Sequence, residues 1–129
     1  MTREPETPPS AEAVLQSLSD QMETAVAGLR EARNEEVARQ HEYEAARRRA
    51  QFSGECPPVG VFGGVRTTVA MQTAWIDGQV AEEKLLWQIA RATRQAAATH
   101  LKMLRDQASV AQSIGASVRE TYRMTGGRP

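Results

Sequence analysis

The helix-breaking residues of this 129-residue chain are gathered into one internal stretch, and that distribution constrains the fold more than any other feature. Gly54, Pro57, Pro58, Gly60, Gly63 and Gly64 fall between Phe52 and Arg66, whereas no proline occurs from Ser10 to Gln51 or from Thr67 to Arg123. Proline removes a helical hydrogen bond and clashes with the preceding turn, so a cluster of these residues ends a helix and makes a loop. The expectation is an all-α fold: an antiparallel hairpin of two long helices joined by a Gly/Pro-rich loop. The first helix runs over about 11–51, the loop over about 52–66 and the second helix over about 67–123. Thr67 or Thr68 serves as the second N-cap, and Gly78 and Gly115 are the weak points of that helix. At 1.5 Å per residue the two helices would span about 60 and about 80 Å. Residues 1–10 carry Pro5, Pro8 and Pro9 beside Glu4 and Glu6 and are expected as a disordered arm, with Ser10 as the first N-cap. Residues 125–129 are expected as a disordered tail.

Within each stretch the apolar residues recur at spacings of three and four. Leu15, Leu18, Met22, Ala25, Leu29 and Ala32 share one seam, and its register continues through Glu36 and Arg39 to Tyr43, Ala46 and Ala50. The two charged positions imply that the packing loosens there or meets a polar partner. In the second helix Trp87, Ala90, Ala97, Leu101, Leu104, Ala108, Ala111, Val118 and Tyr122 share one register, interrupted by Arg94 and Gly115. Ile89, Ala96, Met103, Val110 and Ile114 form an adjacent stripe. Together these stripes are wider than one partner helix covers, which points to a homo-oligomer with Trp87, Leu101, Leu104, Val110, Ile114 and Val118 at its interface. The chain holds 20 Ala, while Leu, Ile, Val and Phe number 22, about 17% of it. That composition suits close-packed helices and leaves little material for a deep substrate pocket.

Net charge is zero, with 16 basic and 16 acidic residues, but the charge is segregated. Residues 1–46 hold ten acids and four bases, and residues 47–129 hold six acids and twelve bases. Arg outnumbers Lys by 14 to 2, and the guanidinium fork suits phosphate and carboxylate while its face stacks on bases. Two readings follow. The acidic first helix pairs with the basic second one, or an oligomer gathers the Arg47, Arg48, Arg49 clusters into a basic rim that tracks a phosphate backbone.

Chemistry finds little purchase. His41 and His100 lack a Glu three residues before them, so the Glu-x-x-His spacing of a helical-bundle metal site is missing; Ala38 and Ala97 stand there. No nucleophile-base pattern surrounds Cys56, and Gly60, Gly63 and Gly64 are followed by no Gly-Lys-Ser/Thr. We therefore expect no catalytic residues, no metal, no cofactor and no enzyme activity. A single cysteine, the lack of a long apolar run and an acidic, Pro-rich start lead to the expectation of a soluble cytoplasmic protein with no membrane partner.

The order of features carries a resemblance. A mixed-charge first helix ends in Glu44-Ala45-Ala46-Arg47-Arg48-Arg49-Ala50-Gln51-Phe52-Ser53-Gly54. After the loop, the second helix closes with Leu101-Lys102-Met103-Leu104-Arg105 and Gln112-Ser113-Ile114-Gly115-Ala116-Ser117-Val118-Arg119. Over roughly residues 30–124 this layout resembles the UvsY-type phage recombination mediators. Where that family's pattern has further basic residues around the turn, this chain has Glu55, Cys56, Pro57 and Pro58. The resemblance implies an oligomeric helical assembly that binds single-stranded DNA and works beside a recombinase and a single-strand-binding protein. In this sequence Arg47, Arg48, Arg49 and Arg66 would contact phosphates and Phe52 would offer a stacking platform. The competing expectation is a structural or adaptor coiled-coil protein, such as a phage assembly or scaffold component, without nucleic-acid binding.

Overall fold

The computed structural model describes residues 8–125. It is an all-α hairpin in which α1 (Pro8–Gln51) and α3 (Ala81–Thr125) pack against each other, with α2 (Val69–Gln79) preceding α3. A two-stranded ribbon, β1 (Gly60–Phe62) and β2 (Val65–Thr67), occupies the connecting segment. The described residues divide into two compact units, 8–30 with 96–125 and 31–95.

In the first unit the expected seam is the packed one. Leu18, Leu104 and Ala108 form a buried cluster, with Met22, Ala25 and Ala111 packed against it. Leu29 and Leu101 are buried as well. Ala11 packs against Gly115: a Cβ added to Gly115 would lie 3.4 Å from the Ala11 methyl, an ordinary contact distance. Leu101 and Leu104, expected at an oligomer interface, instead pack inside the chain's own hairpin. The correction has a simple cause: they belong to the stripe that faces α1, so their apolar area is already used.

In the second unit the seam of α1 carries Ala32, Glu36, Tyr43 and Ala46. Tyr43 stacks on Trp87 with ring centroids 5.2 Å apart and 24° between the planes. Trp87, also expected at an oligomer interface, is therefore half-buried within the chain. Arg94 Nε donates to Glu36 Oε2 at 2.6 Å, so the charged interruptions of the two seams meet. Ile76, Val80 and Ala90 complete the buried apolar set of this unit.

Four features of the fold refine or depart from expectation. First, α1 begins at Pro8, so Ser10 lies inside the helix; prolines are accepted in a first turn because their missing N–H groups would have no intrahelical partner anyway. Of the expected arm 1–10, residues 8–10 belong to α1 and residues 1–7 lie outside the described residues; of the expected tail 125–129, Thr125 closes α3 and residues 126–129 lie outside them. Second, α2 starts after Thr68, whose Oγ1 accepts from the Met71 N–H at 3.2 Å, which selects Thr68 over Thr67 as cap. Third, the expected single second helix is interrupted at Val80, where φ is −113° and ψ 17°. The break falls two residues after Gly78, the position of lowest helix propensity, and it leaves Val80 only 2% exposed. Val80 N still donates to Ile76 O, and Lys84 N to Val80 O, so the ladder continues across the bend.

Fourth, the loop is not irregular throughout. Val61 pairs with Arg66 and Phe62 with Val65, closed by Gly63 and Gly64 at φ 58° and 79°. Positive φ at both central residues is the backbone of a tight two-residue hairpin turn, which glycine adopts without strain.

Candidate nucleic-acid interface

Helix α1 ends in Arg47, Arg48 and Arg49, and successive residues on a helix point about 100° apart. The three cations therefore meet different surroundings. Arg47 turns inward within its unit: its Nη1 donates to Asp77 Oδ1 at 2.6 Å and lies 3.5 Å from the Tyr43 hydroxyl. The Asp77 carboxylate raises the Arg47 pKa further above its already high ordinary value. Arg47 thus braces α1 to α2, with its Nη1 committed to a carboxylate, which sets it apart from the two arginines that follow.

Arg48 and Arg49 are exposed in the last turn of α1 and form no ion pair with a described residue. They oppose the negative end of the helix dipole, which stabilises α1 and leaves their forks in solvent. The chain turns away immediately afterwards: Phe52 N donates to Arg48 O at 3.0 Å and the Ser53 hydroxyl to Ala50 O at 3.0 Å. This stop leaves Phe52 81% exposed. Large apolar rings are seldom that bare in a soluble helix end, and an aromatic beside two unpaired cations is the pairing of groups that stacks on a base while neutralising phosphates.

Arg66 is exposed on β2, opposite Val61. The segment that carries it is held to α2 by Gln72 Nε2, which donates to Pro57 O at 3.0 Å. Glu55 and Arg66 are the two charged residues of the whole stretch 52–76.

Pairing of an acidic helix with a basic one accounts for little of the charge. Among the described residues two ion pairs join different helices, Glu36 with Arg94 and Arg47 with Asp77, and the second has its acid on α2 and its base on α1. Arg39 instead pairs along its own helix with Glu35 and Glu42, and Arg123 with Glu120.

The remaining interface candidates separate cleanly. Val110 and Ile114 are exposed and, with Val14, Leu18 and Ala111, line an open apolar groove of the first unit. Val118 is half-buried. The described residues hold no group of three or more His, Cys, Asp or Glu able to bind a metal ion. No described helix is long and apolar enough to cross a membrane.

Sequence reasoning missed Asp77 as the partner of Arg47, because nothing local links residues 30 apart. It also passed over the ribbon, for which a signal existed: Gly63-Gly64 flanked by Val61-Phe62 and Val65-Arg66-Thr67 is a two-residue hairpin pattern.

No known family model, no characterised protein and no solved structure matches the chain. The fold defines it as an all-α helical hairpin protein, and its function is argued from its own surface.

Proposed function

We propose that this chain is a non-enzymatic, oligomeric helical protein that binds single-stranded DNA through the end of α1 and the adjoining loop. One observation carries the reading: Arg48 and Arg49 stand free of acidic partners one turn from a bare Phe52. Cations that contact phosphates draw any nucleic acid, and an exposed ring favours the strand whose bases are unstacked. Arg66 on β2 adds a further phosphate contact.

Oligomerisation would multiply a weak contact into useful avidity, and the apolar groove lined by Val110 and Ile114 is the surface that supports it. A role as recombination mediator, with a recombinase and a single-strand-binding protein as partners, rests on the layout shared with the UvsY-type proteins. That groove equally favours a second reading, a structural or adaptor coiled-coil protein, which would form stable oligomers and retain no oligonucleotide.

The test is fluorescence anisotropy of a labelled single-stranded oligonucleotide, with duplex in parallel, at two salt concentrations. Salt-sensitive binding that prefers the single strand is the expected result. No binding at low salt overturns the proposal and leaves the adaptor reading.

A further inference from the structure

Arg47 heads the three consecutive arginines that end α1, yet its guanidinium is only partly engaged. A single nitrogen, Nη1, makes both of its polar contacts, to Asp77 Oδ1 at 2.6 Å and to the Tyr43 hydroxyl at 3.5 Å. Nε and Nη2 donate to no described residue, and Asp77 Oδ2 accepts from none. The fork that holds an oxyanion through two parallel bonds is thus half used.

The contact is also open to water. The Arg47 side chain is 35% exposed and that of Asp77 44%. Ion pairs this accessible are weak and exchange partners readily, because water solvates each ion almost as well as its counter-ion does. Opening this pair need not unseat α2, whose Ile76 is buried among apolar groups beside it. To the guanidinium, the Asp77 carboxylate and a phosphate of a bound strand are alike, since each presents anionic oxygens in a geometry the fork matches. The next residue, Arg48, is exposed and forms no ion pair with a described residue. Adjacent Cα atoms lie about 3.8 Å apart, so a strand held by Arg48 brings its phosphate oxygens into the neighbourhood of Arg47.

We propose that Asp77 is a displaceable stand-in for phosphate. In the free protein it holds Arg47; a bound single strand takes its place, and Arg47 joins Arg48 and Arg49 as a phosphate contact. The Asp77 carboxylate therefore restrains binding at the end of α1. This inference rests on the nucleic-acid reading of that site, and adds to it a further cation and the acid that regulates it. By linkage, binding of the strand loosens the tie between α1 and α2 as much as that tie opposes binding.

The experiment titrates the full chain with a labelled single-stranded oligonucleotide over a series of salt concentrations. It compares wild type with Arg47→Gln, Asp77→Asn and the double variant, and circular dichroism follows helicity in each. Arg47→Gln should reduce the slope of log affinity against log salt by about 1 in magnitude, although Arg47 is paired in the free protein. Asp77→Asn should bind about two- to fivefold more tightly, the scale of an exposed ion pair expressed as an affinity ratio. That gain should vanish when Arg47 is also replaced. A pair that only braces the helices gives another pattern: the slope of Arg47→Gln matches wild type and Asp77→Asn binds no more tightly. Either of those results overturns the inference, while binding by wild type leaves the Arg48 and Arg49 site standing. A gain from Asp77→Asn that persists without Arg47 also overturns it, because it reports the loss of a negative charge rather than the release of Arg47. If Asp77→Asn loses helicity, the slope of Arg47→Gln decides. Absence of binding by wild type and Asp77→Asn alike overturns the nucleic-acid reading itself, and this inference with it.

Discussion

Glu36 and Arg94 interrupt two otherwise apolar seams, and they face each other: the Arg94 guanidinium donates to the Glu36 carboxylate at 2.6 Å, with a second contact from Nη2 at 3.5 Å. Both side chains are mostly covered by their surroundings. A single charge at either position would leave an unpaired ion in the seam, so the pair also fixes which residues of α1 and α3 lie opposite within their unit. Charge reversal tests this. Glu36→Arg and Arg94→Glu should each lower the thermal midpoint, and the double exchange should recover most of the loss, as followed by circular dichroism at neutral pH.

The same pair sets a pH dependence. The hydrogen bond from Arg94 lowers the Glu36 pKa below the ordinary carboxylate range, against a smaller opposing effect of burial. A lowered folded-state value means the stabilisation is fully present above that ordinary range and is lost as pH falls through the lowered value. Glutamine does not ionise. The advantage of wild type over Glu36→Gln in thermal midpoint should therefore be largest near neutrality and shrink on acidification.

Two leucine-class positions on α3 separate core from surface. Leu104 is 4% exposed in the cluster with Leu18 and Ala108, whereas Val110 is 59% exposed. Leu104→Ala should cost about 2–5 kcal/mol in urea unfolding, the range for a buried large-to-small change. Val110→Ala should change monomer stability by less than about 0.5 kcal/mol. If Val110 lies at an interface between copies, the same substitution should lower the oligomer's mass in light scattering at a concentration where wild type is assembled.

Gly115 offers a test of helix approach. Alanine there meets the Ala11 methyl at ordinary contact distance and improves helix propensity, so Gly115→Ala should be neutral or stabilising by up to about 1 kcal/mol. Gly115→Leu adds three carbons beyond that contact at a buried position and should destabilise by about 1–3 kcal/mol. Thermal unfolding of both variants beside wild type decides it.

The hairpin and its packed faces were legible because they rest on periodicity. Leu18, Leu29, Ala32 and Ala46 lie where the three-four register puts them, and the charged positions 36 and 94 and the glycine at 115 stood out as exceptions to it. Features set by backbone detail were less legible. The bend at Val80 follows a tolerated glycine that by itself does not end a helix, and Pro8 and Pro9 read as breakers until their place in a first turn is known. Counting Gly63 and Gly64 only as breakers hid the ribbon they close. For the candidate site, the run of three arginines marked the right end of α1, but which of them turns outward depends on the rotation of α1 relative to Asp77, and that is tertiary information. Likewise the two apolar stripes of α3 were visible, while the structure was needed to show that Leu101 and Leu104 serve the hairpin and Val110 and Ile114 remain open.

The central claim is that Arg48 and Arg49 contact the phosphates of a single strand. Its most direct test is the salt dependence of oligonucleotide affinity for wild type against Arg48→Gln/Arg49→Gln, with helicity checked in both. The account predicts weaker binding by the double variant and a slope of log affinity against log salt reduced in magnitude by about 1 to 2, with helicity unchanged. The same affinity and the same slope in both proteins would contradict it.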